Sequence, residues 1–379
     1  DGGSNSDITM TIGANSEIYG DLLFSDGATA AEEIVLANAG SVENVDLSNT
    51  SNVQLTNTGT IGSTAVGSGI DGTSVDVGLT ILNDAGGSIT HIDGTDTHVL
   101  SITNADGATI DSILLNSQSD PVNADGLPNT ADDDVNTTVS NSGTLGLLTA
   151  DRVGQFTFTN NATGVVSSPT QSAIVLSNSA NIDFVNAGTV SSASSDTIDV
   201  TDYTGTLTLT NSGSITASTR SVIGGDGSTG NFTITNNGTL SSVSSRVLSL
   251  QDVSGAIVLN NGNGTSSAII STSDSALVFS DTGASDAMDV TVNNRAGSSI
   301  SVTASTALIA ASAAIASLTN EGTISAGVSR TVDFANAGDV TITNSGTSAS
   351  VSAGSFNALY AASATGSLTL TNEGSVRAY

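Results

Sequence analysis

Three places in the chain gather side chains able to do chemistry. The first is the stretch from Asp120 to Asp134, where Asp120, Asn123, Asp125, Asp132, Asp133 and Asp134 supply carboxylate and amide oxygens within fifteen residues. Such oxygens are hard ligands that suit Ca2+, and Asn123, Asp125 and Gly126 match part of an EF-hand-like loop. Placing Gly126 on the glycine of that loop puts Pro121 at the first ligand position and Asp132, shorter than the usual Glu, at the last. A calcium site and a solvated acidic loop therefore both stay open. The second place is His91, Asp93, Asp96 and His98, four donors for a transition metal. No zinc-type spacing is matched, and a polar corner is the preferred reading. The third pairs Asp199 and Asp202 with Arg220 or Arg246, twenty to fifty residues further on. Cleavage of a polysaccharide needs paired carboxylates, or an acid beside a basic group. The acids here are scattered, no lysine can serve as a base, and Tyr203 is the lone aromatic nearby. No catalytic residue is assigned, and a non-enzymatic protein is expected.

The composition narrows the field further. Of 379 residues, 36 are acidic and 6 basic, all six of them Arg, for a net charge of -30, so no basic surface exists to neutralise nucleic-acid phosphates. The 37% hydrophobic content, rich in Val, Ile, Leu and Ala, is enough to fold, while 3% aromatics imply a thin aliphatic core. With no cysteine, disulfides and thiolate metal sites are excluded. No apolar run reaches the ~20 residues of a membrane span, so no membrane insertion of this segment is expected.

The elements that must position any site are repeats. The unit reads apolar, Thr or Ser, apolar, Thr or Ser, Asn, small residue, Gly, Thr or Ser, apolar, as in Leu207-Thr208-Leu209-Thr210-Asn211-Ser212-Gly213-Ser214-Ile215. Fourteen copies are anchored on Asn38, Asn57, Asn83, Asn104, Asn141, Asn160, Asn186, Asn211, Asn236, Asn261, Asn294, Asn320, Asn344 and Asn372, with a spacing near 25. Alternation with period 2, as in Phe232-Thr233-Ile234-Thr235, marks strands. A second apolar stretch recurs between anchors, as in Ala173-Ile174-Val175-Leu176, and a third short strand follows the Gly, as in Thr323-Ile324-Ser325.

A strand of four or five residues cannot bury its apolar face alone, so successive repeats must stack. The expectation is an all-β right-handed parallel β-helix, a β-solenoid of about 14 coils of about 25 residues with three short strands per coil. Fourteen coils at ~4.8 Å make a rod of roughly 65 to 70 Å. Residues 1–33 are expected to form irregular first coils, and 34–379 the β-helix, with an acidic loop insert at about 117–136. The longest interval, 37 residues between Asn104 and Asn141, holds that Pro- and Asp-rich insert, which must leave the stack as a loop. The Asn closing each first strand is expected to turn a left-handed corner and to form an amide ladder. The Gly two residues later is expected to supply positive φ or close approach.

The Leu-Thr-Asn-Ser-Gly tracts over residues 34 to 379 resemble the β-helical passenger regions of Gram-negative autotransporter adhesins and related repeat-built bacterial surface proteins. The resemblance implies a non-catalytic structural or adhesive protein, extracellular or on a bacterial cell surface. It implies a cell-surface glycan or protein as ligand. Gly224-Gly225-Asp226-Gly227 is an isolated echo of the Gly-rich calcium repeats of other secreted solenoids. Two alternatives are carried beside it: a polysaccharide-binding or polysaccharide-cleaving β-helix, and an ice-binding solenoid. The latter rests on outward Thr-x-Thr pairs such as Thr208 and Thr210, but Asp183, Val185, Val258 and Asn260 break the array.

Charge and ends complete the picture. Residues 1 to 151 carry 22 acids and no base, and 152 to 379 carry 14 acids and six Arg, so the charge divides as -22 and -8. A solvated acidic surface is the preferred reading over a calcium-responsive half. Ile8-Thr9-Met10-Thr11-Ile12 already alternates like a coil strand, and the last motif runs to Val376, without an amphipathic capping helix at either end. Stacking on further solenoid segments, or head-to-tail assembly into a homopolymeric filament or surface layer, is expected.

Overall fold

In the computed structural model, residues 7–24, 33–63, 67–116, 136–262, 266–280 and 288–379 are described. The Ca2+ candidates Asp120, Asn123, Asp125, Asp132, Asp133 and Asp134 lie outside them. Among the described residues every regular element is a strand, and no helix is present. The strands are parallel and stack as a β-solenoid, about 13 turns in all with ~25 residues between them. Two compact units divide the chain: residues 1–167 with 179–182, and residues 168–178 with 183–379.

Within the second unit, each coil opens with a strand of the Asn-anchored repeat. Thr206–Asn211, Asn231–Asn236 and Ala256–Asn261 pair in register, so Leu207, Phe232 and Ile257 form one inward column and Leu209, Ile234 and Leu259 the next. All six side chains are buried, because only the inward face of each pleat meets the neighbouring coils. After the Asn, a four-residue strand such as Ser214–Ala217 runs along a second sheet, and a third strand such as Ile223–Asp226 follows a five-residue loop. The three-strand coil of the sequence reading is this one.

The first unit uses the same opening strand but closes several of its coils differently. Ser41–Asp46, Ser88–Asp93, Thr109–Asn116 and Thr144–Asp151 each run through both later positions as one bent strand. Two adjacent side chains turn away from the core at each bend, as in Glu43 and Asn44 or Thr90 and His91. Ser41–Asp46 pairs with Thr60–Ile61 and with Ile70–Asp71, two strands separated in the next coil by eight residues. A coil of 19 residues therefore stacks on one of 26 without loss of register. An opening strand lacking the Asn anchor also belongs here: Ile8–Ile12 pairs with Glu33–Asn38, and Ile12 stands opposite Asn38.

The asparagines form the expected ladder. In the first unit, the Nδ2 of Asn38, Asn57, Asn83, Asn104 and Asn141 donates to the Oδ1 of the next anchor at 2.8–2.9 Å. In the second, the ladder runs from Asn186 through Asn211, Asn236, Asn261, Asn294, Asn320 and Asn344 to Asn372 at 2.7–2.9 Å. A second contact reaches a backbone carbonyl in the following coil, as from Asn104 to Thr144 at 3.0 Å. Each amide inside the ladder thus has partners above and below, which is what makes its burial tolerable, while Asn372 at the last rung is exposed. The 37-residue interval changes nothing in the stack: Val99–Asn104 pairs directly with Asn136–Asn141.

The corner itself corrects part of the sequence reading. None of the ladder asparagines has positive φ; each is the last extended residue of its strand. Left-handed residues sit instead near the end of the coil, at Asn49, Ser74, Asp96 and Arg152 in the first unit and at Asn178, Asp202, Asp252, Ser312, Asn336 and Ser363 in the second. There a single residue reverses the chain toward the next opening strand, a task suited to Asn, Asp and Ser side chains. The Gly after the ladder serves chiefly close approach: a Cβ on Gly238 would overlap the carbonyl oxygen of Gly213 one coil away.

Candidate functional site

The histidine cluster does not assemble. His91 Nδ1 meets Ser112 Oγ at 2.8 Å across the bend of two neighbouring coils, whereas His98 is exposed. Asp93 is occupied by its own turn, accepting from Thr95 N at 3.0 Å and Thr95 Oγ1 at 2.6 Å. Among the described residues no group of three or more His, Asp or Glu is placed to hold a metal. The outward threonines do line up, Thr208 beside Thr233 and Thr210 beside Thr235, but Val258 and Asn260 occupy the next coil in the same columns.

Around Arg220 and Arg246 the structure does bring chemistry together. Ile223–Asp226 lies between Ile198–Asp199 and Leu248–Gln251, with Gly224 opposite both Asp199 and Ser249. The other coils of this unit carry a side chain at that outward position, among them Val175, Val278, Ile309, Asp333 and Tyr360. At Gly224 the space of that side chain is taken by the Asp196 carboxylate of the preceding coil. Beside it, Gly224 and Gly225 line a surface concavity of about 200 Å³ whose rim includes Asp196, Arg220, Asp226, Arg246 and Gln251.

The five-residue loops before the third strands supply the rim. Asp196 accepts the Ser221 backbone N–H at 2.7 Å, and its carboxylate lies over Gly224, where any Cβ would collide with it. Burial raises its pKa, with the charge of Asp199 adding to the effect and the Ser221 N–H and Arg220 opposing it. Arg246 is held by two contacts: Nη1 donates to Ser249 Oγ at 3.1 Å, and Nε pairs with Asp274 at 3.4 Å on the following coil. Arg220 is exposed and makes no ion pair among the described residues.

Of the residues singled out for polysaccharide chemistry, Arg220 and Arg246 thus reach one concavity, and Asp199 and Asp202 do not line it. Asp199 caps Thr201, accepting from its N–H at 3.1 Å and its hydroxyl at 2.8 Å, and Asp202 holds a left-handed corner at φ 57°. Tyr203 is no sugar platform: its ring is fully buried 5.8 Å from that of Phe232, and burial, with the nearby Asp183 charge, pushes its hydroxyl pKa well up. Sequence reasoning missed Asp196, Gly224, Ser249 and Gln251. The available signal was Ile223-Gly224-Gly225-Asp226 standing where other repeats read Ile174-Val175-Leu176-Ser177 and Leu248-Ser249-Leu250-Gln251.

The chain is a repeat protein of the β-solenoid class. No family model, curated protein or solved structure matches it. No helix among the described residues is long and apolar enough to cross a membrane.

Proposed function

We propose that this solenoid is a non-catalytic structural or adhesive protein of a bacterial cell surface, related to autotransporter passenger regions, and that it works by stacking its coils on further solenoid segments. One observation carries the reading. Val340 and Ile342 are buried at 0% and 3% exposure beneath the coil of residues 368–378, whereas their register partners Leu368 and Leu370 stand 56% and 55% exposed. The strand Leu368–Asn372 keeps the full pattern of the repeat, so the two leucines offer a second copy the same pairing that Val340 and Ile342 offer them. An outer surface of short Thr, Ser and Asn side chains fits a scaffold that meets glycan or protein ligands over many coils. Ca2+ held by Asp120, Asn123, Asp125, Asp132, Asp133 and Asp134 belongs to the same proposal. Melting temperature is then expected to rise with calcium concentration, and an unchanged value over a wide range removes the site.

Light scattering or electron microscopy of this chain tests the assembly. End-to-end particles are expected, and Leu370→Asp is expected to abolish them by placing a charge in the apolar contact. Particles that persist unchanged in Leu370→Asp, or an unmutated chain that stays monomeric at high concentration, would overturn the reading.

A further inference from the structure

We infer that the concavity beside Gly224 is a binding site for a polyhydroxylated carboxylate, the chemistry of a sugar acid. The inference is independent of whether coils stack end to end, because the concavity lies within the second unit.

Three features specify the ligand. The first is cationic charge in an unusual place: two of the six arginines of a chain with net charge -30 reach one concavity from successive coils. Arg246 is pinned by Ser249 and Asp274, so its orientation costs little on binding, while Arg220 makes no ion pair among the described residues and meets Asp196 only through its longer-range charge. A guanidinium without an ion pair offers a planar fork suited to a carboxylate. The second feature is the acid component of the same rim. Asp196 and Asp226 repel a bare multiply charged anion, yet they accept hydrogen bonds from hydroxyl groups. Thr201 and Gln251 add side chains that both donate and accept. A ligand with one negative charge and several hydroxyls satisfies both halves of the rim, whereas a phosphate or a simple apolar acid satisfies one.

The third feature is size and access. The concavity of about 200 Å³ lies below the ~300 Å³ at which pockets for drug-sized ligands begin, which suits a single monosaccharide unit. Asp196 fills the space over Gly224, so a ligand meets its carboxylate oxygens there. The concavity is open to solvent, so the sugar acid can be free or one residue of an acidic polysaccharide.

Calorimetric or saturation-transfer NMR titration of the purified chain with sodium glucuronate, glucose and tetragalacturonate tests the assignment. Saturable binding of glucuronate without saturable binding of glucose is expected. Arg220→Gln, which breaks no ion pair, is expected to weaken glucuronate at least about tenfold, and Arg377→Gln, exposed on another coil, to leave it unchanged. Tighter binding of tetragalacturonate than of glucuronate identifies a polysaccharide as the source, and equal affinity identifies the free acid. Absence of saturable glucuronate binding, equal binding of glucose, or full affinity in Arg220→Gln overturns the site.

Discussion

The two units share an opening strand and differ in how most of their coils continue after it. In the first, coils such as that of Asn83 close through one bent strand, Ser88–Asp93, and the outward positions are spent on the bend. In the second, a loop of five residues separates the later strands, and those loops hold Asp196, Arg220, Arg246, Asp274 and Arg330. Arginine then ties coil to coil: Arg246 pairs with Asp274, Arg295 with Glu321 at 3.5 Å, and Arg330 lies 3.6 Å over the Tyr360 ring while pairing with Asp333 at 2.7 Å. The bases follow the same division: Arg152 is the one arginine within the first unit's residues, and the other five fall in the second. The lesson is a division of labour: the ladder sheet sets the stack, and a loop between the later strands decides whether a surface exists on which chemistry can collect.

If the ladder is common to both units, its members must be worth the same in each. Asn83→Ala and Asn320→Ala each remove the acceptor of one buried neighbour and the donor of the other. Losses of about 1–3 kcal/mol are expected in both, read from urea unfolding, because a buried amide is left without its best partner. A large loss in one unit and none in the other would break the equivalence.

The bends are the more forgiving element. Ser41–Asp46 already pairs with two strands of the next coil that are eight residues apart in sequence. Five Gly and Ser residues inserted between Glu43 and Asn44 are therefore expected to cost about 1 kcal/mol or less, as loop closure is only weakly length-dependent. Unfolding of the chain by that insertion would show that the bend, and not the ladder alone, holds the register.

The smallest effect concerns Asp196. Its folded-state pKa is raised by burial, so the protonated form is favoured in the folded chain, and stability falls as pH rises from the unfolded carboxyl range through the raised one. Asp196→Asn keeps an acceptor for Ser221 N–H and removes the buried charge. It is expected to match the unmutated chain at acid pH and to gain a few tenths of a kcal/mol at neutral pH, the carboxylate being part exposed. A variant less stable at neutral pH would show that the charge is structurally required there.

Much of this arrangement was readable in the chain. Asn at the end of a period-2 run, repeated at a near-constant interval, sufficed for the stack and the ladder, because strand alternation and amide pairing are local properties of those residues. The opening strand Ile8–Ile12 escaped the anchor count since Ile12 stands where Asn is expected. The fused strands of the first unit were hidden because Ser88-Ile89-Thr90-His91-Ile92-Asp93 reads as broken alternation, and only stacking shows that the break is a bend. The concavity at Gly224 was hidden for a related reason: a glycine marks a site only when its neighbours in space, Asp196, Asp199 and Ser249, are known.

The central claim is that coils of unequal length present one continuous register of amides within a unit. Its most direct test is a double-mutant cycle on Asn104 and Asn141, which are 37 residues apart in sequence and bonded at 2.8 Å. Coupling of about 1 kcal/mol, equal to that of Asn294 with Asn320, is the expected result. Additive effects of the Asn104 and Asn141 replacements, with coupling retained between Asn294 and Asn320, would contradict it.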